Sequence, residues 1–264
     1  MPVADLGDIK LNYEERGEGH PVLGVMGFAL DQRFWAAQIP PVTKNNRFIT
    51  FDNRGIGRST GEPPTTIDQM ADDAYRLLDH LEIDKAVIFG MSMGGAIAQR
   101  LALDHPDRIS GLILAVTWAR PLEFMRRQEG LGRIVIDHGG VEALIDSSLV
   151  RMFTPQFFET GADLLDTMTA AFLGTGDDMP DPGALKAQID AVEKHDTLAE
   201  LPSIKVPTLV MGGKMDVMVP YMGSEEIARA IPNAEFATFE TGHACMIEEM
   251  EPFNQRVEEF LAQF

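Results

Sequence analysis

The chain has 264 residues, 45% of them hydrophobic, with 41 acidic against 22 basic side chains and a net charge of −19 at pH 7. That length suits one large α/β domain, with or without an insertion, and the apolar fraction is that of a globular protein rather than a disordered or membrane chain. So acidic a surface repels phosphate backbones, which argues against nucleic acid and anionic membranes as partners and reads as solubilising charge. A lone cysteine, Cys245, allows no internal disulfide. Residues 1–8 carry acids where a signal peptide has a basic and then an apolar stretch. No apolar run approaches the ~18 residues that span a bilayer. The expected location is the cytoplasm.

In chain order, short apolar runs alternate with stretches of helical periodicity, the pattern of a mostly parallel sheet covered by helices. Ile9 to Glu15 alternates like an early antiparallel strand, and Pro21 to Met26 and Arg47 to Phe51 read as strands. Ile67, Met70, Ala74, Leu77, Leu78 and Leu81 have helical spacing. Ala86 to Phe89 is a strand, Gly94 to Leu103 a helix stopped near Pro106, and Leu112 to Val116 a further strand. After Trp118 the character changes: residues 119–201 hold helical pieces rich in Met and Phe, with few strand signals. Regular order resumes with a strand at Thr208 to Met211, a helix at Glu225 to Ala230, a strand at Glu235 to Phe239 and a closing helix from Glu248 to Phe264. The expected organisation is a core of 1–118 and 202–264 carrying a helical cap at 119–201.

Gly90-Met91-Ser92-Met93-Gly94 stands between a predicted strand and a predicted helix. A serine on so tight a turn takes a strained backbone, needs small neighbours, and projects its hydroxyl above the sheet at a helix N-terminus. A serine hydroxyl is a weak nucleophile and needs a base, usually a histidine oriented by a carboxylate. Of the six histidines, His20, His80 and His105 fall at element boundaries, and His138 and His195 in the cap. His243 follows the last predicted strand and lies at the carboxyl edge of the sheet with Ser92, where open α/β sheets build their sites. Asp216 follows the preceding strand at the same edge and is the expected acid, ahead of Glu240 and Glu248. Ser92, Asp216 and His243 also occur in the α/β-hydrolase chain order.

These motifs make the chain resemble the α/β-hydrolase superfamily over nearly its whole length, most of all small bacterial esterases and 3-oxoadipate enol-lactonase-type hydrolases. Asp52-Asn53-Arg54-Gly55-Ile56-Gly57-Arg58-Ser59 resembles a structural loop of that family. The resemblance implies a mostly parallel eight-stranded sheet flanked by helices, with an inserted helical cap. It also implies an oxyanion hole formed by the backbone N–H groups of Met93 and Phe28. Met26-Gly27 stands where family members usually carry His-Gly, a change that leaves the Phe28 N–H in place.

Trp35, Trp118, Phe124, Met125, Phe153 and Phe172 are candidates to line an apolar pocket, although most such residues in a cap serve as core. Cys245 has no nucleophile turn and reads as a small buried hydrophobe. No His or Cys pair has metal-ligand spacing, no Gly-x-Gly-x-x-Gly follows a strand, and no cofactor is expected. The sequence thus predicts hydrolysis of a small carboxylic ester or lactone through an acyl-enzyme. Carbon–carbon bond hydrolysis, perhydrolysis and a low-turnover ligand receptor remain open as alternatives on the same fold.

Overall fold

The structure is a computed structural model that describes residues 2–173 and 179–264, with side chains to 170 and again from 179. Its elements run β1 (Val3–Asp5), β2 (Lys10–Arg16), β3 (His20–Val25), α1 (Ile39–Thr43), β4 (Asn46–Phe51), α2 (Ile67–His80), β5 (Ala86–Met91), α3 (Met93–Asp104) and β6 (Ile109–Ala115). They continue with α4 (Glu123–Met152), α5 (Pro155–Thr160), α6 (Ala162–Leu173), α7 (Pro182–Lys194), β7 (Thr208–Gly213), α8 (Tyr221–Ala230), β8 (Glu235–Phe239), α9 (Cys245–Glu248) and α10 (Met250–Leu261). The sheet is eight-stranded in the order β1-β2-β4-β3-β5-β6-β7-β8. The β1–β2 and β2–β4 pairings are antiparallel, and the remaining pairings are parallel. β1 is too short to signal itself in sequence, and it enters the sheet by pairing Ala4 with Leu11.

β5 and β7 are buried at every position. Helices cover both faces, so these strands read as continuous apolar runs rather than alternating ones. The edge strand β8 is only partly buried. One apolar layer holds Leu23, Val25, Ile88 and Leu114 against α2 and α3, and the opposite layer holds Val22, Phe89, Ile113 and Leu209 with Trp35 and Phe253. α2 starts where the Thr66 side chain accepts from Gln69 N, a cap for an otherwise orphaned donor.

Four helices, α4 to α7, lie between β6 and β7. α4 is broken at Gly140, whose φ of 73° and ψ of −170° are not helical. The break redirects the second half of α4 so that its apolar face (Val141, Leu144, Ile145, Leu149) is buried in the same layer as Met26 and Met91 at the carboxyl edge of the sheet. The C-terminal helical segment is two pieces, α9 and α10, separated at Glu249, where sequence alone predicts one helix.

The loop after β4 is a polar lock. Asp52 accepts from Gln32 N, Arg58 N and Asn12 Nδ2. Buried Arg54 makes a two-point ion pair with Asp73 of α2, at 2.5 Å for both Nε–Oδ2 and Nη2–Oδ1. These side chains hold the loop and lie outside the cavities described below.

Candidate active site

Ser92 sits between β5 and α3 with φ 53° and ψ −119°. A side chain at positive φ costs on the order of 1–3 kcal/mol and persists only where its surroundings impose it. Here they do. Ser92 N donates to Ala115 O on β6 and Ser92 O accepts from Thr117 Oγ1. Its flanking glycines are required by space: a Cβ on Gly90 would meet Gly94 O at 2.3 Å, and one on Gly94 would meet Val25 O at 1.9 Å.

His243 lies on the loop after β8 and Asp216 on the loop after β7, both almost fully buried. His243 Nδ1 donates to Asp216 Oδ2 at 2.7 Å. The other carboxylate oxygen accepts from Met218 N and Val219 N, each at 2.8 Å. Asp216 is thereby anchored at both oxygens, and the His243 tautomer with its proton on Nδ1 leaves Nε2 as an acceptor. Glu248 accepts from Gly242 N and from Thr154 N and Oγ1, so it braces the histidine loop rather than the imidazole. Glu240 is exposed and pairs with Lys214.

Three of the other five histidines are engaged elsewhere. His20 bonds Ser110, His105 stacks on Tyr75, and His195 is buried beside Thr197 with its pKa pushed down to about 4 by burial. Burial pushes the Cys245 thiol well above its ordinary range, which leaves it unreactive. Among the described residues no group of three or more His, Cys, Asp and Glu side chains is placed to hold a metal ion, and no helix is long and apolar enough to cross a membrane.

Ser92 and His243 open into a cavity walled by Met26, Phe34, Leu144, Ile145, Leu149, Met152, Leu185 and Met246. Gly27 passes so close that a Cβ there would lie 3.1 Å from Ser92 Cβ and 3.7 Å from Ser92 Oγ. Two N–H groups in this neighbourhood, those of Phe28 and Met93, take no protein acceptor among the described residues. The adjoining Ala29, at φ 63°, donates its N–H to Gln188 Oε1 of α7 at 3.0 Å, and Asn53 Nδ2 donates to Met26 O. Met26, in the place of the family's usual histidine, lines the cavity as an apolar wall.

A second cavity shares Phe28, Ser92, Leu144, Ser148 and Met218 with the first and extends to Trp118, Met125, Gln128, Glu129 and Arg151. Trp118 and Met125 therefore share a cavity with Ser92. Trp35 is not: it is fully buried between Phe48 and Phe89, below the loop, because its indole fills the layer under β3. Phe124 is 52% exposed on the outer face of α4. Phe153 stacks on Phe157 and lines neither cavity. Phe172 lies outside the described side chains. Glu129, Gln128, Arg151 and Gln188 were not singled out by sequence, since polar residues on helices carry no local sign of which face turns inward.

A tight serine turn on this sheet, with a bonded His–Asp pair at the same edge, defines the α/β-hydrolase class. Residues 20–250 match the family model for the alpha/beta hydrolase fold, and the chain belongs to that family. It is 30% identical over 257 residues to RutD of Azorhizobium caulinodans, a carbamate-hydrolase candidate by name, with 97% of this chain and 96% of that protein covered. The enol-lactonase from Burkholderia xenovorans LB400 superposes with a TM-score of 0.91 at 29% identity, over 99% of this chain and 100% of that one. A malate-bound thermophilic esterase from Thermogutta terrifontis gives 0.87 at 32% identity, over 98% and 96%.

Proposed function

We propose that this hydrolase cleaves a small carboxylic ester or lactone through an acyl-enzyme on Ser92. The observation that carries the reading is the 2.7 Å bond between His243 Nδ1 and Asp216 Oδ2 behind a strained serine that shares its cavity with the imidazole. Ser92 Oγ attacks the carbonyl carbon while His243 Nε2 takes its proton, and Asp216 stabilises the imidazolium that results. The tetrahedral oxygen receives the free N–H groups of Phe28 and Met93, the latter at the electropositive start of α3. Collapse expels the alcohol, which regains the proton from His243. Water, activated by the same nitrogen, then releases the acid.

Residues 119–201 act in this reading as a lid that completes the apolar walls. The esterase and enol-lactonase likenesses support an oxygen ester as the scissile group. A carbamate, suggested by the RutD likeness, presents a carbonyl to the same nucleophile and is the second reading.

The test is hydrolysis of p-nitrophenyl acetate, butyrate and octanoate by wild type beside Ser92→Ala. Loss of the serine is expected to lower kcat by about 10⁴-fold or more. Equal rates from the two proteins would refute the assignment. Turnover of carbamates but not esters would move it to the second reading.

A further inference from the structure

The second cavity differs from the first in its chemistry. The first is walled almost wholly by apolar side chains, whereas the residues lining the second include Arg151, Glu129 and Gln128. Arg151 is half-buried at the end of α4 and, among the described residues, donates to neutral oxygens: Ser147 O at 3.0 Å, Gln128 Oε1 at 2.8 Å and Ser148 Oγ at 3.3 Å. Among the described residues no carboxylate lies within ion-pair distance of it, although the chain has 41 acids. Arg54, by contrast, is closed by Asp73, and Arg133 by Asp190 and Glu193. A guanidinium stays charged in a protein, so a part-buried one without a counter-charge is costly to the fold and strongly favours an incoming anion that can accept two parallel bonds. In the residues around it, Trp118 Nε1 and Glu129 Oε2 are buried without protein partners.

We propose that Arg151 is the anion anchor of the site, so that the substrate lies with its scissile carbonyl at Ser92, an apolar portion in the first cavity, and a carboxylate of its own against Arg151 in the second. This rests on the serine-hydrolase reading above and narrows its substrate class to carboxylate-bearing esters or lactones. Glu129 opposes the bound carboxylate little below neutrality: burial and the nearby charge of Glu193 push its pKa up to about 7, against the pull of Arg133 and Arg126.

Arg151 also steadies Gln128, whose Nε2 donates to the carbonyls of Val217 and Met218 beside Asp216. A purely bracing role would therefore affect every substrate alike, and the experiment is built on a ratio. Monoethyl glutarate is compared with ethyl pentanoate, and 4-butanoyloxybutanoate with butyl butanoate, which places the carboxylate on the acyl and then on the alcohol side. Wild type is expected to prefer the anionic member of at least one pair. Arg151→Gln is expected to lower the anionic-to-neutral ratio of kcat/KM by about 10–100-fold, the scale of losing hydrogen bonds to a charged group, and Arg151→Lys to restore part of it. Because the ratio does not depend on the folded fraction, partial misfolding of the variant does not blur it.

A preference for the neutral member of both pairs, or a ratio that Arg151→Gln leaves unchanged, overturns the anchor while leaving esterase activity standing. Calorimetric binding of monoethyl glutarate to Ser92→Ala, beside Ser92→Ala with Arg151→Gln, separates the two claims. Binding that needs Arg151 in a wild type that hydrolyses no ester would retain the anchor and reject the acyl-enzyme. Binding that ignores Arg151 rejects the anchor.

Discussion

Glu129→Gln is expected to stabilise the protein at alkaline pH and to leave it unchanged in acid. Glu129 Oε2 is buried without a partner. Desolvation first, and then the charge of Glu193, raises its pKa from 4.5 to about 7. The folded chain therefore holds this proton more tightly than the unfolded chain. Stability falls as pH rises from about 4.5 to 7, and the full cost is present above 7. At about 1.4 kcal/mol per pH unit the gap corresponds to about 3 kcal/mol. The side chain is partly open to solvent, which reduces this to about 1.5 kcal/mol. Glutamine keeps the shape and cannot ionise. For a chain of this size, thermal melts at pH 8 should show Tm about 3–5 °C above wild type, and the two curves should converge near pH 4.5. An equal difference at pH 5 and pH 8 would refute the account, since it would have to arise from packing rather than from a buried charge. A variant less stable than wild type at pH 8 would do the same.

Asp216→Asn should lower kcat on a p-nitrophenyl ester by about 10⁴-fold, because an amide favours the wrong imidazole tautomer; Glu240→Gln, on an exposed side chain paired with Lys214, should change it less than about twofold. A large loss in Glu240→Gln instead would reassign the acid. Gly94→Ala should cost at least about 3 kcal/mol, because its Cβ would fall 1.9 Å from the backbone oxygen of Val25. A melt within about 2 °C of wild type would show that β3 and α3 can separate more readily than their close approach suggests.

Much of the site is legible without coordinates because its causes are local or topological. Two glycines spaced around Ser92 are what a strand must have to turn sharply into a helix. Asp216 and His243 each follow a parallel strand, and every parallel strand delivers its next loop to the same edge of the sheet. Short apolar runs likewise mark β2 to β8, continuous where helix layers cover both faces of the sheet. The two tryptophans illustrate the limit. Trp35 and Trp118 carry the same signal in sequence, yet one packs beneath β3 against Phe48 and Phe89, while the other faces the cavity at Ser92.

Sequence by itself thus determined the sheet, the serine turn, and the loops that bring an imidazole and a carboxylate toward it. Only the tertiary structure decided what surrounds the serine. The interior face of α4 depends on the break at Gly140 and on packing against α6 and α7, and neither leaves a periodic mark in so polar a helix. Whether Arg151 meets an acid, and whether Glu129 keeps its proton, is settled by distances between residues far apart in the chain. Such distances exist only once the helices have packed, because charge and desolvation act through space and not along the backbone.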